Sequence, residues 1–283
     1  MLEAIGWFVL GLVLLALGGD SIVKGASGLA QRIGASPFVA GLVLVAFGTS
    51  LPELAVNWQA VARGQPALAL GNAVGSNVAN VGLTLAAAAL VAPLTVRWRA
   101  LSPLLLVLLL GTLLTMMMGS DGTLSRIEGA VLLVAFIAVI VYATIRTRRE
   151  SPELQDAIAA FARTSTDLWL NLIRFGIAAV LLYFGSRMIV RSAPVIGEGI
   201  GMAPLLTGLI PVAIGTALPE MAAAISAARK GHGDIVVGHV IGSSLFNVLV
   251  VIGGMAAISG GFAFPESLGL FEVPAAGAFA LML

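Results

Sequence analysis

The residues best suited to chemistry are two acids in matching six-residue stretches. Gly48-Thr49-Ser50-Leu51-Pro52-Glu53 and Gly215-Thr216-Ala217-Leu218-Pro219-Glu220 each set a carboxylate directly after a proline, inside an apolar run, 167 residues apart. Behind each lies a second polar series: Asn72, Ser76 and Asn80 are spaced i, i+4, i+8, and His239, Ser243 and Asn247 repeat that spacing. Residues four apart share a helix face, so each series forms one polar stripe on an otherwise apolar helix. If the stripes face the two motifs, they gather two carboxylates, the hydroxyls of Thr49, Thr216, Ser76 and Ser243, and the amide oxygens of Asn80 and Asn247. An all-oxygen set of that size suits the roughly six to eight ligands of Ca2+, and with no cysteine there is no thiolate to suit zinc or copper.

A charge at bilayer depth costs on the order of 3 kcal/mol, so Glu53 and Glu220 need compensation. Arg63 and Arg229 lie two to three turns further along, which leaves a bound cation, a proton or backbone donors. Gly48 and Pro52 weaken the helix on either side of Thr49 and Ser50. The break is expected to free the carbonyls of Ala46 and Phe47, and in the second copy those of Ala213 and Ile214, which is tolerable at that depth only around a lined cavity.

The elements that must position these groups are membrane helices. The chain is 59% hydrophobic and 10% charged, with a mean hydropathy of +1.06, too little polar surface for a soluble domain. Apolar segments near 4–30, 36–62, 68–92, 101–118, 126–146, 170–194, 203–228, 235–259 and 267–283 are nine candidate spans of an all-α, polytopic protein. The first run has no basic leader and no small-residue cleavage site, so it is expected to be retained as a helix. A net charge of +1 without a basic, aromatic-interleaved cluster offers nothing to nucleic acid.

Aligning residues 18–80 with 185–247 without a gap gives 23 identities in 63 positions. Composition alone would give roughly six or seven, so the segment is an internal repeat. Gly34/Gly201, Pro37/Pro204, Gly41/Gly208, Gly71/Gly238 and Gly75/Gly242 coincide, so backbone breaks repeat along with hydropathy. Five helices per half is an odd number, which sends the second copy into the membrane from the opposite side, an inverted repeat. The expected division is a first repeat over 1–146, a polar cytoplasmic connection over 147–169 and a second repeat over 170–283. The ninth segment matches the fourth at the same offset, and the partner of the fifth is absent from this chain.

With the connection inside, Lys24, Arg32, Arg97, Arg99, Arg146, Arg148, Arg149, Arg163, Arg174, Arg229 and Lys230 are cytoplasmic, and Arg63, Arg126, Arg187 and Arg191 are external. That asymmetry follows the positive-inside rule and puts the N-terminus outside a plasma (inner) membrane.

The paired Gly-Thr-[Ser/Ala]-Leu-Pro-Glu motifs, each followed by Gly-[Asn/His]-x-x-Gly-Ser-[Asn/Ser]-x-x-Asn, resemble the α-repeats of sodium/calcium exchangers of the calcium:cation antiporter superfamily, over residues 18–90 and 185–259. The resemblance implies ten helices in two inverted halves. It implies that Glu53 and Glu220 coordinate Ca2+, and that Thr49, Thr216, Ser76, Ser243 and the carbonyls of Ala46 and Ala213 serve Ca2+ or Na+, with Ser50, Asn80 and Asn247 in the same cluster. It also implies that the first and sixth helices move to switch access. Exchangers of the prokaryotic type carry an acid at the position of Asn247 and a serine at that of Ala217, and often asparagine at those of His239 and Ser244. Two carboxylates neutralise one Ca2+, whereas three Na+ would leave a positive charge in excess, so fewer Na+ ions or protons are expected as counter-ion.

Plainer roles stand beside these. Gly71/Gly75 and Gly238/Gly242 read as close-packing positions. His239 reads as a packing residue or a proton-linked group, Asp20 and Lys24 as an i, i+4 ion pair, and Asp234 as a helix-entrance acid outside the site. The expected function is a secondary antiporter exchanging Ca2+ for Na+ by alternating access, without cofactor or enzymatic chemistry. A Ca2+/H+ antiporter of the same fold is the alternative. A non-transporting scaffold or a cation channel is the reading from another class, and nothing in the sequence sets the oligomeric state.

Overall fold

The computed structural model describes residues 1–34, 48–147 and 163–283, with 152, 156, 159 and 160 between them. Its helices are α1 (Leu2–Arg32), α2 (Leu51–Ala62), α3 (Pro66–Val91), α4 (Trp98–Met118), α5 (Arg126–Thr147), α6 (Leu168–Gly199), α7 (Pro204–Thr216), α8 (Leu218–Arg229), α9 (Gly233–Ser259) and α10 (Leu268–Ala280). Among the described residues, five helices are long and apolar enough to cross a bilayer, and the bent pair α7–α8 makes a sixth. The Pro37, Gly41, Ala46 and Phe47 positions of the second expected segment lie outside the described residues.

The ninth segment, expected near 267–283, is formed by α10 (Leu268–Ala280), with Glu266 and Ser267 already helical ahead of it. At about 1.5 Å per residue it is about 20 Å long, short of the roughly 30 Å hydrocarbon core. The Pro265 carbonyl accepts the Leu268 and Gly269 N–H groups, and Leu268–Glu272 is wound as a wider π turn. The fold is all-α as expected, with one short ribbon: β1 (Thr123–Ser125) pairs antiparallel with β2 (Gly261–Ala263), Leu124 opposite Phe262. This ribbon ties the α4–α5 connection to the end of α9, and Phe264 N–H donates to the Gly122 carbonyl at 2.8 Å.

The repeat extends to backbone geometry. α2 and α8 begin and end at positions 167 apart, and so do the π turns Asn80–Leu85 within α3 and Asn247–Ile252 within α9. Gly34 and Gly201 share a positive φ (94° and 75°), as do Gly64 and Gly231 (70° and 76°). Side chains disfavour that conformation, so glycine recurs where both copies make the same turn.

Lipid tails are as apolar as leucine, so helices in a membrane associate by close packing. α1 and α6 run antiparallel with Gly11 against Gly185: a Cβ on either would lie 3.0 or 2.9 Å from the other's carbonyl oxygen. α3 and α7 are closer still. A Cβ on Gly71 would collide with the Leu205 carbonyl, and one on Gly208 with the Leu68 carbonyl. The polar stripe of α3 is thereby pressed against the bend that leads into α8. Helix α9 is the central element, with 89% of its apolar window buried against 17% for α6, which faces lipid.

The basic residues separate to the two ends. Ala159 of the connection packs with Ala224, Ala227, Ala228 and Ile235, so the connection lies where α8 ends and α9 begins. Arg32 and Arg174 donate there to the Thr166 carbonyl and the Thr164 hydroxyl (3.2 and 2.9 Å). Asp234 at the entrance of α9 is held by Arg97 (2.7 Å), and the expected Asp20–Lys24 pair forms at 2.6 Å. Arg126 sits at the far end, donating to the Ala257 carbonyl at 3.0 Å.

Candidate cation site

Each acid stands in the first turn of a short helix. Gly48–Ser50 forms a 3-10 turn that leads into α2, while α7 and α8 meet at a 41° bend between Thr216 and Leu218. Pro52 and Pro219 occupy early positions where a missing N–H costs nothing, and Glu53 and Glu220 follow at the third. The free N–H groups and positive dipole end favour a carboxylate there. Both acids are buried, at 1% and 0% exposure. Among the described residues no cationic side chain acts on either.

The two halves interlock. Glu53 faces the Thr216 hydroxyl of the second half, and Glu220 faces Thr49 and Ser50 of the first. Ser50 Oγ lies 3.4 Å from Glu220 Oε1 and 2.7 Å from Ser243 Oγ on α9. Asn80 on α3 donates to Ser243 at 3.0 Å and to Ser244 at 3.4 Å. Its repeat partner Asn247 donates to Asn77 at 3.2 Å, and Asn77 is in turn the repeat partner of Ser244. The Thr216 hydroxyl donates to Asn72 Oδ1 (3.2 Å), whose amide donates to Asn57 Oδ1 (2.9 Å). The two carboxylates are near enough to repel one another directly.

Among the described residues, five buried oxygens in and beside this network have no hydrogen-bond partner: Thr49 Oγ1, Glu53 Oε2, Ser76 Oγ, Glu220 Oε2 and Asn247 Oδ1. Buried polar atoms are nearly always satisfied, so a concentration of unsatisfied acceptors fits a cation as the absent partner. The symmetry accounts for one of them. Ser50 bonds Ser243, but the equivalent position to Ser50 in the second half is Ala217, and Ser76, equivalent to Ser243, has no hydroxyl to meet.

Of the residues expected in the site, Glu53, Glu220, Thr49, Ser50, Thr216, Ser243, Asn80 and Asn247 belong to this network, and Ser76 is buried on α3 between Asn72 and Asn80. Ala46 lies outside the described residues. The Ala213 carbonyl is not freed as expected: it accepts the Ala217 N–H at 3.0 Å and the Thr216 hydroxyl at 3.4 Å, because the helix persists through Thr216 before bending. His239 is buried on α9 at the repeat position of Asn72. Sequence reasoning missed Asn57, Asn77 and Ser244. Asn57 was findable, since it lies four residues beyond Glu53 and hence on the same helix face. Asn77 and Ser244 sit one residue off the stripes and enter because α3 and α9 are packed on several sides. Among the described residues no group of three acidic or histidine side chains gathers, so two carboxylates supply the charge.

Comparison with known proteins gives a consistent family. The chain is 36% identical over 265 residues to the inner membrane protein YrbG of Escherichia coli (strain K12), covering 92% of this chain and 82% of that protein. It is 29% identical over 280 residues to the sodium/calcium exchanger MaX1 of Methanosarcina acetivorans, covering 87% and 80%. Its fold matches the solved sodium/calcium exchanger of Methanococcus jannaschii with a TM-score of 0.64 at 28% identity, over 99% of this chain and 88% of that one. The model describing the sodium/calcium exchanger protein family matches residues 3–145 and 170–283, and the chain therefore belongs to that family.

Proposed function

We propose that the chain is a secondary antiporter that exports Ca2+ in exchange for Na+ through the Glu53–Glu220 cluster. Family membership makes it a membrane cation exchanger. The observation that carries the choice of Ca2+ is the pair of facing, buried carboxylates ringed by unpartnered hydroxyl and amide oxygens. Their combined charge of −2 matches one Ca2+, and hard oxygen donors are what that ion takes. Glu53, Glu220, Thr49, Ser50, Thr216, Ser76, Ser243, Asn80 and Asn247 are assigned as its surroundings, and Ca2+ and Na+ as cargo in place of any resident cofactor.

Each ion enters dehydrated between two halves whose motifs complete one another. A loaded site is electrically balanced and an unloaded one is not, which couples occupancy to rearrangement. α1 and α6, packed backbone to backbone at Gly11 and Gly185, are assigned as the helices that slide or tilt to switch access. The halves are assigned as inverted repeats over 1–146 and 170–283, with the 147–169 connection cytoplasmic and the N-terminus outside an inner membrane. The partition of Arg63, Arg126, Arg187 and Arg191 to the end opposite the connection supports that orientation.

A Ca2+/H+ exchange is the second reading, favoured by Asn247, which leaves the cluster with two charges where a third acid would serve additional Na+. Uptake of radiolabelled Ca2+ into proteoliposomes under imposed Na+ or H+ gradients separates the two. Uptake driven by Na+ alone supports the first, and uptake driven only by H+ replaces it with the second. Transport by Glu53→Gln and Glu220→Gln at the wild-type rate would remove the site assignment altogether.

A further inference from the structure

Away from the cation cluster, the first turns of α1 and the second half of α6 enclose a groove of about 610 Å3. That volume lies within the range of ligand pockets. Its walls are apolar and aromatic, with Trp7, Phe184, Met188 and Val195, and its charged lining is Arg187, Arg191 and Glu3. Arg63, at the end of α2, lies within electrostatic range of both arginines. The Glu3 carboxylate accepts from Trp7 Nε1 at 3.2 Å, and Arg187 donates to the Tyr183 hydroxyl at 3.1 Å. Among the described residues none of the three guanidiniums is paired with an acid.

Depth identifies the occupant. Asn171 lies beside the connection, where it donates to the Ser165 carbonyl. Arg191 is twenty residues further along the same helix, about 30 Å at roughly 1.5 Å per residue, which is one hydrocarbon thickness. Arg191 therefore stands at the opposite headgroup level with Arg187 one turn below it, and Trp7 lines the same end where an interfacial aromatic belongs. Three mutually repelling cations above an apolar, lipid-facing groove call for an anion that carries a hydrocarbon tail.

We propose that this groove seats an anionic phospholipid, its phosphate held by Arg187 and Arg191 with Arg63 behind them, and one acyl chain lying along Trp7, Phe184 and Val195. Native mass spectrometry of the full chain, titrated with phosphatidylglycerol or phosphatidylcholine, tests it. Wild type should retain phosphatidylglycerol in preference, and Arg187→Gln and Arg191→Gln should each lower that preference by about fivefold, the effect of one basic residue at an anionic headgroup. Val195→Trp, which fills the tail groove and leaves the arginines intact, should lower retention of the lipid while cation exchange in phosphatidylcholine vesicles stays at the wild-type rate. Equal retention of the two lipids by wild type overturns the proposal. So does a preference unchanged in the arginine variants, displacement of the lipid by equimolar inorganic phosphate, or a dimer in the spectrum that Val195→Trp abolishes.

Discussion

Ser50 and Ser243 share a 2.7 Å hydrogen bond although 193 residues separate them, and that bond joins the break before α2 to the polar stripe of α9. Ser50 also approaches Glu220, so one hydroxyl links an acid of the second half, a stripe of the second half and the motif of the first. The proposed cation site is thus a property of the interface between halves and of neither alone.

Neutralising either acid should remove Ca2+ transport. Glu53→Gln and Glu220→Gln keep the shape of the side chain and remove one of two charges, so apparent Ca2+ affinity should fall by at least about tenfold, the lower end for perturbing a metal's surroundings. Radiolabelled uptake by reconstituted variants, with thermal unfolding to confirm that they fold, measures it.

Restoring the hydroxyl that the second half lacks should strengthen the site. By the repeat of the Ser50–Ser243 bond, Ala217→Ser offers a hydroxyl to Ser76 Oγ, which has no partner among the described residues. One buried hydrogen bond contributes about 1 kcal/mol, so the variant should melt at higher temperature than wild type, and its Na+ dependence should steepen if the added oxygen also serves a cation. An unchanged melting curve would separate Ser76 from Ala217.

Charge should set stoichiometry. With two carboxylates, a cycle that trades one Ca2+ for two monovalent cations moves no net charge, so uptake by wild type should be indifferent to an imposed membrane potential. Asn247→Asp adds a third negative charge, and uptake by that variant should respond to potential and to Na+ more steeply. Potassium-diffusion potentials applied to proteoliposomes read both.

Acidification should weaken Ca2+ binding. Carboxylates ligate the ion only when deprotonated, so lowering pH makes protons compete with Ca2+ and raises the Ca2+ concentration needed for half-maximal uptake. Glu53→Gln and Glu220→Gln each delete one competing site and should flatten the dependence. A dependence as steep in both variants as in wild type would place the titrating group elsewhere.

Packing between α3 and α7 should be intolerant of a single methyl group. A Cβ at Gly71 or Gly208 meets backbone, which cannot rotate away. Gly71→Ala and Gly208→Ala should therefore destabilise by about 1–3 kcal/mol, read as a lower unfolding temperature, while Gly176→Ala, in open space on α6, should be neutral.

What the sequence determined by itself was whatever depends on local chemistry and repetition. Membrane insertion follows from hydropathy, the helix starts at Leu51 and Leu218 follow from proline near the N-terminal end, and the pairing of Glu53 with Glu220 follows from a repeat that copies backbone as well as side chains. What the tertiary structure decided was who faces whom. That Ser50 meets Ser243, that Asn57 joins through Asn72, and that Ser76 is left without a partner depend on how α3, α7 and α9 cross. Helical periodicity gives the face on which a side chain stands but not the rotation of one helix against another, which is set by glycine contacts between residues far apart in the chain. The held Ala213 carbonyl has the same origin: backbone hydrogen bonds decide where a helix ends, and apolar composition does not report them.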